Sequence, residues 1–372
     1  MSKQLVLKKP VIAITGSAGK TTTKEMIASV LRRRWRIVKT RQNRNFYTAT
    51  KRYARELTRA HQAAVLEFGM LRAGHIRKHC LALQPNYGVV TNVGTAHIGN
   101  FGGKITGIAR AKSELIRYMA PTGKLFLNAD DVNSRLLQVK GFRGKRFTIG
   151  VRNRANYRAY NVRYARNGMA FKTKLGGREY TFFIPIHGEH NIYNALFAIA
   201  VCHQLRYHPS LIQLGLRTYL RPKRRLNTYL LRGNIRVIDD TFSANPEAMK
   251  AAIDVLASVG SGTRIAVLGS MLEMGDYAVK GHLVVGKYLA KKKVDYLYTY
   301  GKSARFIGRG AIKAGFPSTR VVHCMTKDQL HRKLLHRLKP NTSILIKASH
   351  KMRMNHTVGY LKTVMRSRKN SR

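Results

Sequence analysis

Residues 11–33 constrain the fold more than any other part of this chain. Val11-Ile-Ala-Ile-Thr15 is a short apolar run that reads as a buried strand, and residues 20–33 read as a helix. Between them lies Gly16-Ser-Ala-Gly19, followed at once by Lys20-Thr21-Thr22. A glycine-rich turn from strand to helix aims backbone N–H groups at an anion, and the helix dipole adds to the attraction. Lys20 is placed to reach phosphates and the Thr21 hydroxyl to ligate Mg²⁺. Gly16, Ser17, Gly19, Lys20, Thr21 and Thr22 are therefore the candidate nucleotide-binding residues. The pattern departs from G-x-x-x-x-G-K-[ST] because position 14 is Ile. An ordinary glycine-rich turn is the plainer reading, and the loop by itself does not say which reaction a nucleotide would drive.

The same alternation of strand and helix continues along the chain. Strands are expected at 63–66, 88–91 and 124–128, with helices near 73–83 and 106–119, which implies an α/β domain with a mostly parallel sheet. Residues 145–186 differ. Tyr157, Tyr160, Val162 and Tyr164 alternate with polar residues, and Asn167-Gly168 and Gly176-Gly177 punctuate the run, so antiparallel hairpins are expected there. A helix follows from about 190 to 205, and Leu220–Arg225 reads as a linker. A second α/β run then begins, with strands at 235–239, 264–269, 296–300, 320–324 and 343–347. The expected architecture is an ATP-binding domain over 1–222 and a Rossmann-like α/β domain over 223–372.

Composition excludes some function classes. No run of 18 apolar residues is present, so no transmembrane helix is expected, and the mixed N-terminus does not read as a signal peptide. Cys80, Cys202 and Cys324 lie far apart without C-x-x-C spacing, which fits reduced thiols in the cytoplasm and argues against a disulfide framework or a zinc site. Seventy Lys and Arg against 16 Asp and Glu give a formal charge of +54. A chain so charged should adhere to polyanions in a salt-dependent way. It carries no zinc-finger, RNP or basic-zipper pattern, so sequence-specific nucleic-acid recognition has little support.

A set of ordered segments beyond the loop gives a family resemblance. They are Leu66-Glu67-Phe-Gly69, Thr91-Asn-Val-Gly-Thr-Ala-His97, Ala111-Lys112-Ser-Glu114 and His187-Gly-Glu-His-Asn-Ile-Tyr-Asn194. Ile238-Asp-Asp-Thr-Phe-Ser-Ala-Asn-Pro246, Val267-Leu-Gly-Ser-Met-Leu-Glu-Met-Gly275 and Ile346-Lys-Ala-Ser-His350 follow. Together with the loop these resemble the Mur ligases over roughly residues 11–360. The 238–246 and 267–275 segments are most similar to the branch that adds D-alanyl-D-alanine to a UDP-N-acetylmuramoyl-tripeptide. The resemblance implies an ATP- and Mg²⁺-dependent amide ligase of cell-wall precursor synthesis. Such an enzyme phosphorylates a substrate carboxylate, and an amine then displaces the phosphate.

The resemblance also assigns roles. Glu67 and His97 match metal ligands, alongside Thr21. Lys112 matches a lysine that the family carbamylates to help hold a second Mg²⁺; the plainer reading is a surface helix lysine. His190 and Asn191 match the adenine side of the nucleotide site and Asn194 joins the cofactor-binding candidates, although asparagines opening a helix also read as caps. Arg225 matches a hinge arginine that reaches the γ-phosphate, with Arg224 leaving the register open by one. Asp240, Asn245 and Pro246 match a segment that packs on the nucleotide, and Lys347 and Ser349 a strand end where amine and acyl phosphate meet. The catalytic set is thus Lys20, His97, Lys112, Arg225 and Lys347.

Two departures bear on substrate. The family has roughly a hundred residues ahead of the loop that grip UDP, whereas here the loop strand starts near residue 11. Another carboxylate, or a partner supplying that domain, is therefore expected. That branch reads K-G-S-R where this chain has Lys347-Ala-Ser-His350, which replaces a bidentate carboxylate ligand with a weaker, pH-dependent one. Polyglutamate- or folylpolyglutamate-type ligation, and a non-catalytic nucleotide-binding subunit, are the alternatives.

Overall fold

The computed structural model describes residues 5–367. By its contacts the chain divides into two compact units. One holds the residues up to Thr95 together with Lys104–Pro222; the other holds Ala96–Gly103 and the residues from Lys223 on.

The first unit is built on β1 (Val11–Thr15), α1 (Lys20–Leu31), β2 (Ile37–Lys39), α2 (Tyr47–Glu56), β3 (Ala63–Glu67), α3 (His75–Ala82) and β4 (Tyr87–Val90). It continues through α4 (Ile105–Tyr118), β5 (Lys124–Asn128), β6 (Lys145–Gly150) and β7 (Tyr157–Arg158). Seven strands form one sheet in the order β2-β3-β1-β4-β5-β6-β7, and every pairing in it is parallel. β1 and β3 are buried along their whole length, as strands covered on both faces by helices must be. A separate antiparallel sheet, order β10-β9-β8, comprises β8 (Tyr160–Ala165), β9 (Gly168–Leu175) and β10 (Arg178–Ile184). The helices α5 (Glu189–Gln204) and α6 (Pro209–Arg217) close the unit. Residues 194–202 of α5 are apolar on every side apart from Asn194 and are all buried, which makes α5 a core helix.

The hairpin expectation over 145–186 requires correction. Only 160–184 is antiparallel; Lys145–Gly150 and Tyr157–Arg158 extend the parallel sheet, with Phe126↔Phe147 in register. Period-two alternation is common to both strand directions. The two turn signals that argued for hairpins both lie within 160–184, and none lies between 145 and 157.

The second unit contains β11 (Asn227–Leu231), β12 (Ile235–Asp240), α7 (Pro246–Val259), β13 (Arg264–Gly269), α8 (Ala278–Leu289) and β14 (Tyr296–Tyr300). α9 (Arg305–Ile312), β15 (Val321–Cys324), α10 (Lys327–Leu335), β16 (Ser343–Lys347) and α11 (Asn355–Ser367) complete it. Its six strands run in the order β11-β12-β16-β13-β14-β15, parallel except for the edge strand β11. Val237, Ile265, Val267, Ile344 and Ile346 form the centre of its core. In sheets of this kind ligands meet the carboxyl ends of the strands. Two buried strands end there in a buried charge, β3 at Glu67 in the first unit and β16 at Lys347 in the second.

Candidate active site

The loop after β1 has no room for side chains at its glycines. A Cβ on Gly16 would fall 1.8 Å from Thr91 Oγ1, and one on Gly19 would fall 2.4 Å from Asn194 Oδ1. Gly19 also sits at the N-cap of α1 with φ 82°, a left-handed conformation that other residues adopt at a cost. Asn92 shapes the loop from outside: its Oδ1 accepts the N–H groups of Ser17 at 3.0 Å and Ala18 at 2.9 Å. The Ser17 hydroxyl donates to Gly94 O at 2.8 Å, and Lys20 Nζ folds back to donate to Gly16 O at 2.7 Å. Thr22 is buried beneath the loop.

Glu67 closes the next ring of contacts. Its carboxylate, 2% exposed, accepts the Thr21 hydroxyl at 2.9 Å and Asn45 Nδ2 at 2.8 Å. Gly69 N–H donates to Asn45 O at 3.0 Å, so one asparagine grips both sides of the turn after β3. A carboxylate offers about four acceptor sites, and these two neutral donors leave it capacity. A carboxyl oxygen and a threonine hydroxyl at a helix N-terminus suit a hard cation such as Mg²⁺. The residues present therefore fit the metal.

Lys112, on α4, is 2% exposed. Burial first, and then the charge of Lys20, holds its amine well below the ordinary lysine range, with Asp131 opposing. Among the described residues that amine makes no hydrogen bond. Asp131 spends its Oδ2 on the N–H of Val93 at 2.8 Å and the Ser134 hydroxyl at 2.6 Å.

His190, Asn191 and Asn194 lie in the first two turns of α5. Asn191 Nδ2 donates to His187 O at 2.8 Å and lies 3.1 Å from His190 Nε2. Asn194 donates to Asn191 Oδ1 at 2.9 Å and accepts the Thr23 hydroxyl at 3.1 Å. Neither asparagine is the cap, because Gly188 holds the N-cap position and no side chain bonds there. Asn194, itself bonded to Asn191, instead ties α5 to the phosphate-loop helix through Thr23.

In the second unit, Asp240 and Lys347 face each other in register on β12 and β16, with Nζ 2.6 Å from Oδ2 and donating also to Ser243 O at 2.8 Å. Arg225 stacks its guanidinium 4.3 Å from the Phe242 ring centre, and the His350 ring meets the same phenyl group edge-on at 5.6 Å. Arg224 and Leu226, on either side of Arg225, both have left-handed backbones. Burial first, then Arg224 and Arg353, lowers the His350 pKa, so this imidazole is neutral at pH 7. Asn245 caps α7 by accepting Ala248 N–H at 2.8 Å, ahead of Pro246. The Ser349 hydroxyl accepts Leu272 N–H at 2.9 Å. His97, in the short segment grouped with this unit, pairs through Nδ1 with Glu273.

Family models cover both units: the Mur ligase middle domain matches residues 14–202, and the Mur ligase, glutamate ligase domain matches residues 224–350. The chain belongs to the Mur ligase family. It is an ATP-dependent carboxylate–amine ligase of the Mur ligase type. It is 35% identical over 349 residues to UDP-N-acetylmuramoyl-tripeptide–D-alanyl-D-alanine ligase of Bacillus subtilis (strain 168), covering 94% of this chain and 75% of that one. The Synechocystis enzyme of the same name is 32% identical, with 95% and 74% covered. MurF from Acinetobacter baumannii superposes with a TM-score of 0.87 at 30% identity, covering 95% of this chain and 76% of that one.

Within this Mur ligase, three contacts escaped sequence reasoning. Asn92 stood inside a quoted motif and Glu273 in another, but their partners lie 75 and 176 residues away. Asn45 lay in a polar stretch with no pattern to mark it. Among the described residues no cluster of three or more His, Cys, Asp and Glu side chains is placed to hold a metal, and no helix is long and apolar enough to cross a membrane.

Proposed function

We propose that this Mur ligase joins the carboxylate of a UDP-N-acetylmuramoyl-tripeptide to the amine of D-alanyl-D-alanine, at the expense of ATP. The observation that carries this reading is the Thr21–Glu67–Asn45 arrangement beneath the phosphate loop, in a chain whose relatives at about a third identity bear that enzyme's name. The likeness to Mycobacterium tuberculosis folylpolyglutamate synthase, at 18% identity and a TM-score of 0.70, speaks for fold alone and ranks that chemistry second.

Bound Mg²⁺ would neutralise charge on the phosphates, and Thr21, Glu67, His97 and carbamylated Lys112 would hold it. Gly16, Ser17, Gly19 and Thr22 shape the phosphate cradle, and Lys20 swings from Gly16 O to the β- and γ-phosphates. His190 and Asn191 line the adenine side, and Asn194 belongs to the same nucleotide-binding set. Arg225, Asp240 and Asn245 complete the proposed nucleotide-binding set. The substrate carboxylate attacks the γ-phosphorus and ADP leaves. The amine then attacks the acyl carbon, loses a proton and expels phosphate, with Lys347 stabilising the tetrahedral oxyanion. Three buried cysteines suit a reducing compartment and support a cytoplasmic reaction.

The test is phosphate release at moderately high salt, with Lys20→Ala as the blank. UDP-N-acetylmuramoyl-tripeptide and oligoglutamate are crossed with D-alanyl-D-alanine and single amino acids. Release requiring the tripeptide and the dipeptide together is expected. Release with oligoglutamate and glutamate instead would move the assignment to polyglutamate ligation.

A further inference from the structure

We infer that Glu273 is a positioning residue for His97, fixing which imidazole nitrogen is offered to a cation. The inference rests on the proposed reading of His97 as a metal ligand and adds a residue to it.

The turn at His97 and the turn at Glu273 interlock through their backbones before any side chain is considered. Gly99 N–H donates to Glu273 O at 3.2 Å. A Cβ on Gly99 would fall 2.5 Å from Gly275 N, and one on Gly275 would fall 2.8 Å from Gly99 Cα, so both glycines are required by the approach itself. His97 and Glu273 each hold a left-handed backbone, with φ 61° and 62°. For residues other than glycine that conformation is disfavoured and persists only where surrounding structure imposes it.

The Glu273 turn is imposed from both ends. His282 is fully buried and accepts Met271 N–H on Nε2 at 2.9 Å, while its Nδ1 donates to Ala278 O at 2.6 Å. Ser349 Oγ holds Leu272 N–H, and the Met274 side chain is buried. The turn thus delivers one carboxylate to one place, against His97 Nδ1.

A carboxylate accepts a proton donor, so in a neutral imidazole the pairing puts the hydrogen on Nδ1 and the lone pair on Nε2. Any cation His97 takes is then taken through Nε2. Carboxylate partners of this kind orient ligating histidines and raise their basicity, and their loss commonly weakens metal binding about ten- to a hundred-fold.

The decisive measurement is the long-range ¹H–¹⁵N correlation of the His97 side chain in the metal-free full chain, at a pH well above the ordinary histidine range. Wild type is expected to carry the proton on Nδ1. Glu273→Ala should shift it towards Nε2, and Glu273→Gln, whose carbonyl still accepts, should restore it. A Mg²⁺ titration of ATP turnover should show the half-saturating concentration rising about ten-fold or more in Glu273→Ala and partial recovery in Glu273→Gln. Backbone spectra confirm that both variants are folded. An Nε2-protonated wild type, or a Glu273→Ala variant unchanged in tautomer and Mg²⁺ dependence, overturns the inference. His97→Ala separates the two levels: unchanged Mg²⁺ dependence there removes the ligand reading itself, and the positioning role falls with it whatever the tautomer.

Discussion

Lys112 sits where a charged amine is least comfortable, fully buried and facing the charge of Lys20. Burial lowers its pKa well below the ordinary lysine value of about 10.4. The folded chain therefore holds this amine neutral over a range where the unfolded chain binds a proton. Stability must then rise with pH across that window, from the lowered pKa up to the ordinary one. Lys112→Met keeps the volume and removes the titration. In CO₂-free buffer it should unfold at a higher temperature than wild type at pH 7.5, and the difference should shrink as pH approaches 10. A neutral buried amine is also the form that adds CO₂, giving a carbamate and releasing one proton. Wild-type activity should fall in CO₂-depleted buffer and return with bicarbonate, while Lys112→Met stays inactive under both conditions. The motif around Lys112 was legible in the sequence, but its burial was not, because one lysine among 70 Lys and Arg residues carries no mark of depth. Asn45 was illegible for a related reason: its partner Glu67 is 22 residues away and only the fold brings them together.

At the scale of elements, α2, α3 and the turn after β3 are joined by a single buried imidazole. His79 stacks on Phe68 at 4.4 Å between ring centres. Its Nε2 lies 3.1 Å from Gly69 O, which can only accept, so Nε2 carries the proton and Nδ1 accepts the Thr50 hydroxyl at 2.6 Å. Burial lowers its pKa to about 4, with the Gly69 carbonyl opposing. Below the ordinary histidine value near 6.5 the unfolded chain protonates and the folded one does not. Stability is therefore intact above that pH and is lost as pH falls towards 4, by on the order of 3 kcal/mol. His79→Gln retains a donor and an acceptor without titrating. Denaturant unfolding should show the variant about 1 kcal/mol less stable at pH 7.5 and flatter than wild type between pH 6.5 and 4. An equally steep acid limb in both would assign the loss to other groups. Elements with strong patterns were readable in advance: β1, β5, β13, β14 and β16 fall where apolar runs are bounded by turn residues. α2 was not, because Tyr47–Glu56 is mostly polar and buries only Thr50, Tyr53 and Ala54. β2, three residues long, is too short to show a period.

For the whole molecule the governing quantity is the charge of +54. Several of the acids that would offset it are spent on hydrogen bonds within the fold. Asp130 accepts the N–H groups of Val151, Arg152 and Asn153, Glu114 those of Gly74 and Arg77, and Asp239 the N–H and hydroxyl of Thr241. A few pairs such as Arg41–Glu56 and Lys172–Glu179 remain at the surface, too few to neutralise it. Repulsion among exposed cations therefore opposes compactness, and salt relieves it as the screening length shortens to about 8 Å near physiological ionic strength. The melting temperature should climb as NaCl rises from low concentration to about 0.3 M. Sulfate should raise it more than chloride at equal ionic strength, since divalent anions gather more strongly at a cationic surface. The same field predicts binding to duplex DNA of arbitrary sequence, with affinity falling steeply and linearly in log–log salt as released counterions dictate. If the melting temperature falls with salt, attractive ion pairs outweigh repulsion and the surface is electrostatically better matched than its composition implies. If it rises while DNA affinity shows no salt slope, the cations repel one another without forming a continuous field, and the charge is a burden on the fold with no polyanion partner to justify it.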